Sequence, residues 1–333
     1  MAKYSIVLPV RNGGEYIKEC IHSILSQSLG DLNLHVLDNN STDGTLEWVQ
    51  SLSDSRIVVY PSGKSLTIEE NWARITSIPK NEFITLIGHD DILHPHYLQV
   101  MDDLIGKYPD ASLYQAHFLY IDAQGKTIRK CKPMAERQSA AEFLSFFLCN
   151  MMDSMGTGFM MRAADYDAAG GIPAYPNLLF ADFDIWIRLI KKSYLAVAFE
   201  ETFSFRIHQS TTTTSPDVKF QEAFKEFVRF LKSQQDDPLL REAIQRYALH
   251  FISFYSKGLA HRLLRTPKGK RKGLTVAAFL SECKQFADEL VPGNAFDPEK
   301  ILSMKLARQI DSNFITRSLF LGFKKVYAKP VLK

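Results

Sequence analysis

Two carboxylates stand side by side at Asp90 and Asp91, after the apolar run EFITLI at 82–87 and before Ile92 and Leu93. Adjacent negative charges where a chain surfaces repel each other unless something positive lies between them. A hard divalent cation meets that need, because it prefers oxygen ligands and is commonly shared with substrate phosphates. Asp is also favoured in turns, so the pair by itself leaves a plain strand-to-helix turn open.

The surrounding pattern says how the pair is positioned. Residues 4–10 (YSIVLPV), 32–37 (LNLHVL), 56–60 and 82–87 are short β-rich runs. Between them, 15–27 places Ile17, Cys20, Ile21, Ile24 and Leu25 on one helical face, STDGTLEWVQSL opens with helix-start chemistry, and 68–76 reads as a third helix. The order βαβαβαβ predicts an α/β fold, a Rossmann-like, mostly parallel sheet with helices on both faces. Ligands of such sheets bind beyond the carboxyl ends of the strands. That rule selects Pro9, Val10, Arg11 and Asn12; Asp38, Asn39 and Asn40; and His89, Asp90 and Asp91.

Downstream, the pattern predicts a helix at 95–107, a strand at 112–122, an apolar helix at 139–150 and a strand at 156–162. A Gly/Pro-rich loop, AAGGIPAYPNLLF, then runs into FADFDIWIRLIKK, a helix whose acidic first turn and basic last turn suit the helix dipole. Two late strands are expected at 195–200 and 202–207. From Lys219 onward the pattern is almost wholly helical, a C-terminal helical extension.

Composition bounds the function classes. A chain of 333 residues with 46% hydrophobic and 23% charged residues is an ordinary globular protein. Cys20, Cys131, Cys149 and Cys283 are scattered without CxxC spacing, which supports neither a zinc site nor a disulfide framework. The N-terminal apolar run is too short for a signal peptide, and no run reaches the roughly 18 apolar residues of a membrane span. A cytoplasmic protein is expected. RNGGEY after the first strand is not GxGxxG, which argues against a dinucleotide-dependent oxidoreductase.

The net charge of +3 hides a division: 18 Lys and Arg face 25 Asp and Glu in residues 1–216, but 22 face 12 from Asp217 onward. From Ser303 the tail carries Lys305, Arg308, Arg317, Lys324, Lys325, Lys329 and Lys333 interleaved with apolar and aromatic residues. Such a basic amphipathic segment suits the anionic inner face of the cell membrane, where the protein would be peripheral. A helix packed on its own domain or in a homo-oligomer has the same pattern. No nucleic-acid module is recognisable.

SIVLPVRNGGEYIKECIHSILSQS, LDNNSTDGT, EENWARI, FITLIGHDDILHP, GTGFMMRAADYDAAGGIP, FADFDIWIRL and FRIHQSTTT occur in that order over about residues 3–215. Together they resemble the inverting family 2 glycosyltransferases of the GT-A fold, of the bacterial surface-polysaccharide type. The resemblance implies a GT-A domain at 1–215, with a nucleotide-binding half at 1–100 and an acceptor half at 101–215, followed by the basic helical region 216–333. It implies transfer of a sugar from a UDP- or dTDP-linked donor to a hydroxyl of a glycan or lipid-linked glycan acceptor, with Mn2+ or Mg2+. Asp38 falls on the residue that reads the nucleotide base, and Pro9, Val10 and Arg11 on the loop beside it. Asn71 and Arg74 fall on a segment that touches the nucleotide. His89, Asp90 and Asp91 fall on the DXD-like element, with Asp90 at the ribose or metal and Asp91 at the metal; His208 falls on a histidine that completes the metal site. Asp182 falls on the catalytic base, and Thr211–Thr214 on a mobile flap. Two departures stand out: His89 replaces an acidic residue, and Ala181 replaces the Glu before the base. They leave room for a second reading, a catalytically impaired nucleotide-sugar-binding module in a glycan assembly complex.

Overall fold

A computed structural model describes residues 2–153, 155–208 and 217–327. The expected flap at Thr211–Thr214 and the tail residues Lys329 and Lys333 lie outside the described residues. The chain divides into two compact units, Met1–Gln209 and Ser210–Lys333.

The first unit begins β1 (Tyr4–Val10), α1 (Tyr16–Leu25), β2 (Leu32–Asp38), α2 (Thr45–Ser51), β3 (Ile57–Val59), α3 (Ile68–Ala73) and β4 (Phe83–Leu86). It continues β5 (Ile92–Leu93), α4 (Tyr97–Lys107), β6 (Leu113–Ile121), β7 (Thr127–Lys130), β8 (Arg137–Gln138), α5 (Ala140–Leu148), β9 (Met160–Arg162), α6 (Ala163–Ala168), α7 (Ala181–Ile190) and β10 (Leu195–Arg206). One sheet runs β3-β2-β1-β4-β9-β6-β10-β5, with β7 paired to β6 and β8 to β10. Strands β3, β2, β1 and β4 are mutually parallel, as are β6 and β10; β9 runs antiparallel between the two sets. This is the GT-A architecture.

All seven residues of β1 are buried, as expected of a strand covered on both faces. Capping boxes start two helices, Thr67 with Glu70 at α3 and Ser139 with Glu142 at α5. The sheet's second half packs around Phe118 and Phe203, stacked with centroids 4.8 Å apart. Gly158 sits against that pair at φ +82°, where a Cβ would come within 2.4 Å of the Phe203 ring. Only glycine fits there.

Several expected elements differ. The strand expected at 156–162 shrinks to β9, because Gly158 takes a left-handed backbone that ends the ladder. The two late strands are one, β10, whose register against β6 slips between Ala198 and Phe203. The helix expected at 68–76 stops at Ala73 and tightens into a 3-10 turn at Arg74–Ser77. β7 is exposed at all four residues and so carries no buried periodicity to detect.

The second unit holds α8 (Lys219–Ser233), α9 (Pro238–Arg265), α10 (Val276–Leu290), α11 (Leu302–Ser312) and α12 (Phe314–Val326). Its core includes Phe224, Phe227, Phe251, Leu263 and Phe279. Asp311 is buried, accepting from Arg271 Nη1 at 2.7 Å and from the Val276 N–H at 2.9 Å, which locks α11 to the start of α10. Among the described residues no helix is long and apolar enough to cross a membrane.

Candidate active site

The carboxyl ends of β1 and β2 lie side by side, Val10 in register with Asp38. Their following loops are joined by side chains. The backbone N–H groups of Asn12, Gly13 and Gly14 donate to Ser41 Oγ (2.9 Å), Thr45 Oγ1 (3.0 Å) and Asp43 Oδ2 (3.0 Å), while Asn12 Oδ1 accepts from the Thr42 N–H at 2.8 Å. Asn12 and Asn40 adopt left-handed backbones, which asparagine tolerates. Asp38 is 1% exposed. Its Oδ2 accepts from the Ser41 N–H, and among the described residues its Oδ1 has no hydrogen-bond partner. A buried carboxylate oxygen without a donor is costly.

Asn71 and Arg74 turn toward the strand ends. Arg74 donates to the carbonyls of Asp38 (3.0 Å) and Tyr60 (2.6 Å) and to Asn71 Oδ1, and Asn71 Nδ2 donates to the Leu37 carbonyl. They brace the backbone that carries Asp38. Pro9 and Val10 are buried in β1; Arg11 is exposed and donates to Ser65 Oγ at 3.2 Å.

Beyond β4 the two neighbouring aspartates take different surroundings. Asp91 is 2% exposed, with Oδ1 accepting from the Arg206 N–H (2.9 Å) and Oδ2 from the Thr157 hydroxyl (2.5 Å). Burial, with the charge of Asp90 beside it, pushes its carboxyl well above the usual carboxylate range. Asp90 is half-buried, and its Oδ2 lies 2.6 Å from Nε2 of His208. Gly88 makes this crowding possible: a Cβ there would stand 2.8 Å from Asp90 Oδ1 and 3.3 Å from Asp91 Oδ2. His89 is half-buried, and burial lowers its pKa and favours the neutral ring.

Arg206 sits under this loop with its side chain 1% exposed. Its Nε donates to the Asp90 carbonyl at 2.8 Å, Nη1 to the carbonyls of Asp122 and Ala123, and Nη2 to Glu19 at 2.5 Å. The guanidinium also lies over the Tyr16 ring, whose centroid is 5.1 Å from that of His208. Sequence reasoning passed over Arg206, Thr157, Glu19 and Tyr16. The only available signal was the place of Arg206 two residues before His208 and of Thr157 inside GTG.

Asp182 lies in the first turn of α7, after Phe180 in a left-handed backbone. It is half-buried; desolvation raises its pKa to about 6, and the Phe183 N–H donating to Oδ1 at 3.0 Å opposes that rise. A Cβ at Gly156 would stand 3.6 Å from Asp182 Oδ2, and the next residue, Thr157, holds Asp91. The 156–157 dipeptide thus runs from one carboxylate to the other. Asp184 has a different environment, bonded by Tyr175 Oη at 2.8 Å and paired with Arg188.

Asp90 and His208 offer one carboxylate and one imidazole, a donor set suited to Mn2+ more than to Mg2+. Among the described residues no group of three or more His, Cys, Asp or Glu forms a complete protein cage. An open two-ligand site fits a cation shared with a substrate's phosphates.

Residues 5–168 match the family model described as Glycosyl transferase family 2. The chain belongs to glycosyltransferase family 2. An uncharacterized glycosyltransferase of Rickettsia typhi is 23% identical over 262 residues, covering 76% of this chain and 80% of that one. Among solved structures, residues 1–349 of Staphylococcus aureus TarS, in complex with UDP-GlcNAc, superpose with a TM-score of 0.60 at 12% identity, covering 94% of this chain and 91% of that one. A mannosyltransferase from Pyrobaculum calidifontis, in complex with GDP-Man and Mn2+, superposes with a TM-score of 0.50 at 12% identity, covering 97% and 88%. As a family 2 glycosyltransferase this chain is an enzyme that uses a nucleotide sugar.

Proposed function

We propose that this glycosyltransferase moves a sugar, with inversion, from a UDP- or dTDP-linked donor to a hydroxyl of a glycan or lipid-linked glycan in bacterial surface-polysaccharide synthesis. The observation that carries this reading is the pairing of Asp90 with His208 beside a bridge, 156–157, that reaches the carboxylate of Asp182. Asp38 Oδ1 would accept the imide N–H of uracil or thymine. Asn71 and Arg74 would act indirectly, by fixing Asp38.

Asp90 and His208 would hold the divalent cation, with Mn2+ favoured by the imidazole and by the Mn2+ bound to the mannosyltransferase neighbour. When bound, the cation supplies positive charge against the diphosphate leaving group. Asp91, whose oxygens are already met by Thr157 and Arg206, would support the loop from beneath rather than ligate. Asp182 would take the acceptor's hydroxyl proton as its oxygen bonds to the anomeric carbon and the bond from that carbon to the donor phosphate breaks. A pKa of about 6 leaves this carboxylate ionised at neutral pH, yet more basic than an exposed one. We place the reaction on the cytoplasmic side, where unpaired cysteines such as these four stay reduced.

The test is a panel of UDP-, dTDP- and GDP-sugars, each with Mn2+, Mg2+ or EDTA, on the wild type and Asp90→Ala. Metal-dependent binding or slow hydrolysis of one uridine or thymidine donor, lost in the variant, supports the reading. Metal-independent turnover, or retention by Asp90→Ala, overturns the cation assignment.

A further inference from the structure

Helix α12 carries its apolar side chains on its solvent face. Ile315 is 67% exposed, Leu319 69% and Val326 90%; Phe323, more than half exposed, stacks on Tyr327. The helix turns about 100° per residue, so Ile315, Leu319, Phe323 and Val326 form one stripe. Lys325, exposed, falls on one rim of that stripe, whereas Lys324 lies with Arg317 on the opposite side, its ammonium over the Phe320 ring. The opposite side is tethered to the second unit, for Arg317 Nη2 donates to the Thr266 carbonyl at 3.0 Å and its guanidinium faces buried Asp311. The helix starts on its own cap, Asn313 Oδ1 accepting from the Ile315 and Thr316 N–H groups. Thus α12 is a formed helix, held by its cationic flank, that shows to solvent an apolar stripe bordered by Lys325.

We infer that this stripe docks on an anionic lipid bilayer surface, an interaction that goes beyond the transfer reaction and does not depend on its details. The charge pattern selects this occupant. Residues 312–327 contain no Asp or Glu, and Lys and Arg outnumber acids 22 to 12 from Asp217 onward. A second copy would present the same Lys325 and no carboxylate in this segment to receive it. A bilayer supplies both halves of the match: hydrocarbon for Ile315, Leu319, Phe323 and Val326, and headgroup phosphate for Lys325, whose stem reaches along the helix to the interface.

The experiment is co-sedimentation of the full chain with sucrose-loaded vesicles of phosphatidylcholine, alone or with about one-third phosphatidylglycerol. The wild type is expected to sediment with the anionic vesicles and to be partly released by high salt. The double variant Leu319→Asp, Phe323→Asp is expected to partition at least about tenfold more weakly. Lys325→Ala should keep residual binding but weaken the preference for anionic lipid. Leu319, Phe323 and Lys325 are all exposed, so circular dichroism and UDP binding in Mn2+ should match the wild type, which separates this inference from the proposed reaction. Equal partitioning of wild type and the aspartate variant overturns it. So does a concentration-dependent dimer, seen by light scattering and lost in that variant, in a chain that ignores vesicles.

Discussion

His208 Nε2 lies 2.6 Å from Asp90 Oδ2, although 118 residues separate them along the chain. The contact exists because β10 returns beside β5 and delivers Arg206 beneath the Asp90 loop, with His208 two residues further on. If this pair holds the cation, Asp90→Ala and His208→Ala should each abolish most Mn2+-dependent donor affinity, and the double variant should be little worse than either. Calorimetric titration of UDP with and without Mn2+ on the three proteins checks this.

Asp91 should respond differently from its neighbour. Thr157→Val removes the hydroxyl that meets Asp91 Oδ2 and leaves a buried acceptor short of a donor, a loss of about 1–3 kcal/mol in stability. Thermal denaturation should show a clear drop for Thr157→Val and for Asp91→Ala, against a small change for Asp90→Ala.

Asp182→Asn should lower kcat by about 10²- to 10⁴-fold while leaving UDP affinity intact. In the wild type, kcat should rise with pH and level off above about 6, since the base works only when ionised. The sign on stability is opposite. Folding raises this acid's pKa from its ordinary value, so the native state holds the proton more tightly and loses stability as pH climbs through about 6. The variant should therefore melt above the wild type at neutral pH and match it in strong acid.

Asp38→Ala should weaken UDP by about ten- to a hundredfold, the range for a hydrogen bond to a charged acceptor. Competition by uridine, which has no phosphate, should fall by the same factor, and the loss should be independent of Mn2+.

Arg206→Lys keeps a positive charge but cannot serve the Asp90, Asp122 and Ala123 carbonyls and Glu19 together. It should weaken Mn2+-dependent UDP binding while uridine competition stays unchanged. Loss of both would assign Arg206 to folding alone.

The strand-end rule points to one neighbourhood because parallel β1, β2 and β4 are buried runs whose periodicity survives in the sequence, and Asp38 and Asp90 fall at or just past their ends. What stayed hidden is how differently two members of it are surrounded. Asp90 and Asp91 are chemically identical and adjacent; only the return of β10 and the Gly156–Gly158 turn decides which one is buried under Thr157. Asn71 lies in the last turn of α3 and Arg74 just past its end, and nothing local says that they point back at β2. β5, β7 and β8 escaped notice because strands of two to four residues, exposed or at a sheet edge, leave no alternation to read. The outward stripe of α12 was visible as amphipathicity, but periodicity cannot tell a helix face turned to a core from one turned to solvent.

The side-chain bonds that join the loop after β1 to the loop after β2 bear on how donor choice could be re-engineered. Asn12, Gly13 and Gly14 are tied to Ser41, Thr45 and Asp43, so neither loop has a shape of its own to transplant. Grafting the Asp38 loop of a relative would remove the acceptors that Asn12 to Gly14 now use and strand their N–H donors, and grafting the first loop would strand the second. A chimera aimed at a different nucleotide must carry residues 11–14 and 38–45 together, as one cassette split across the chain.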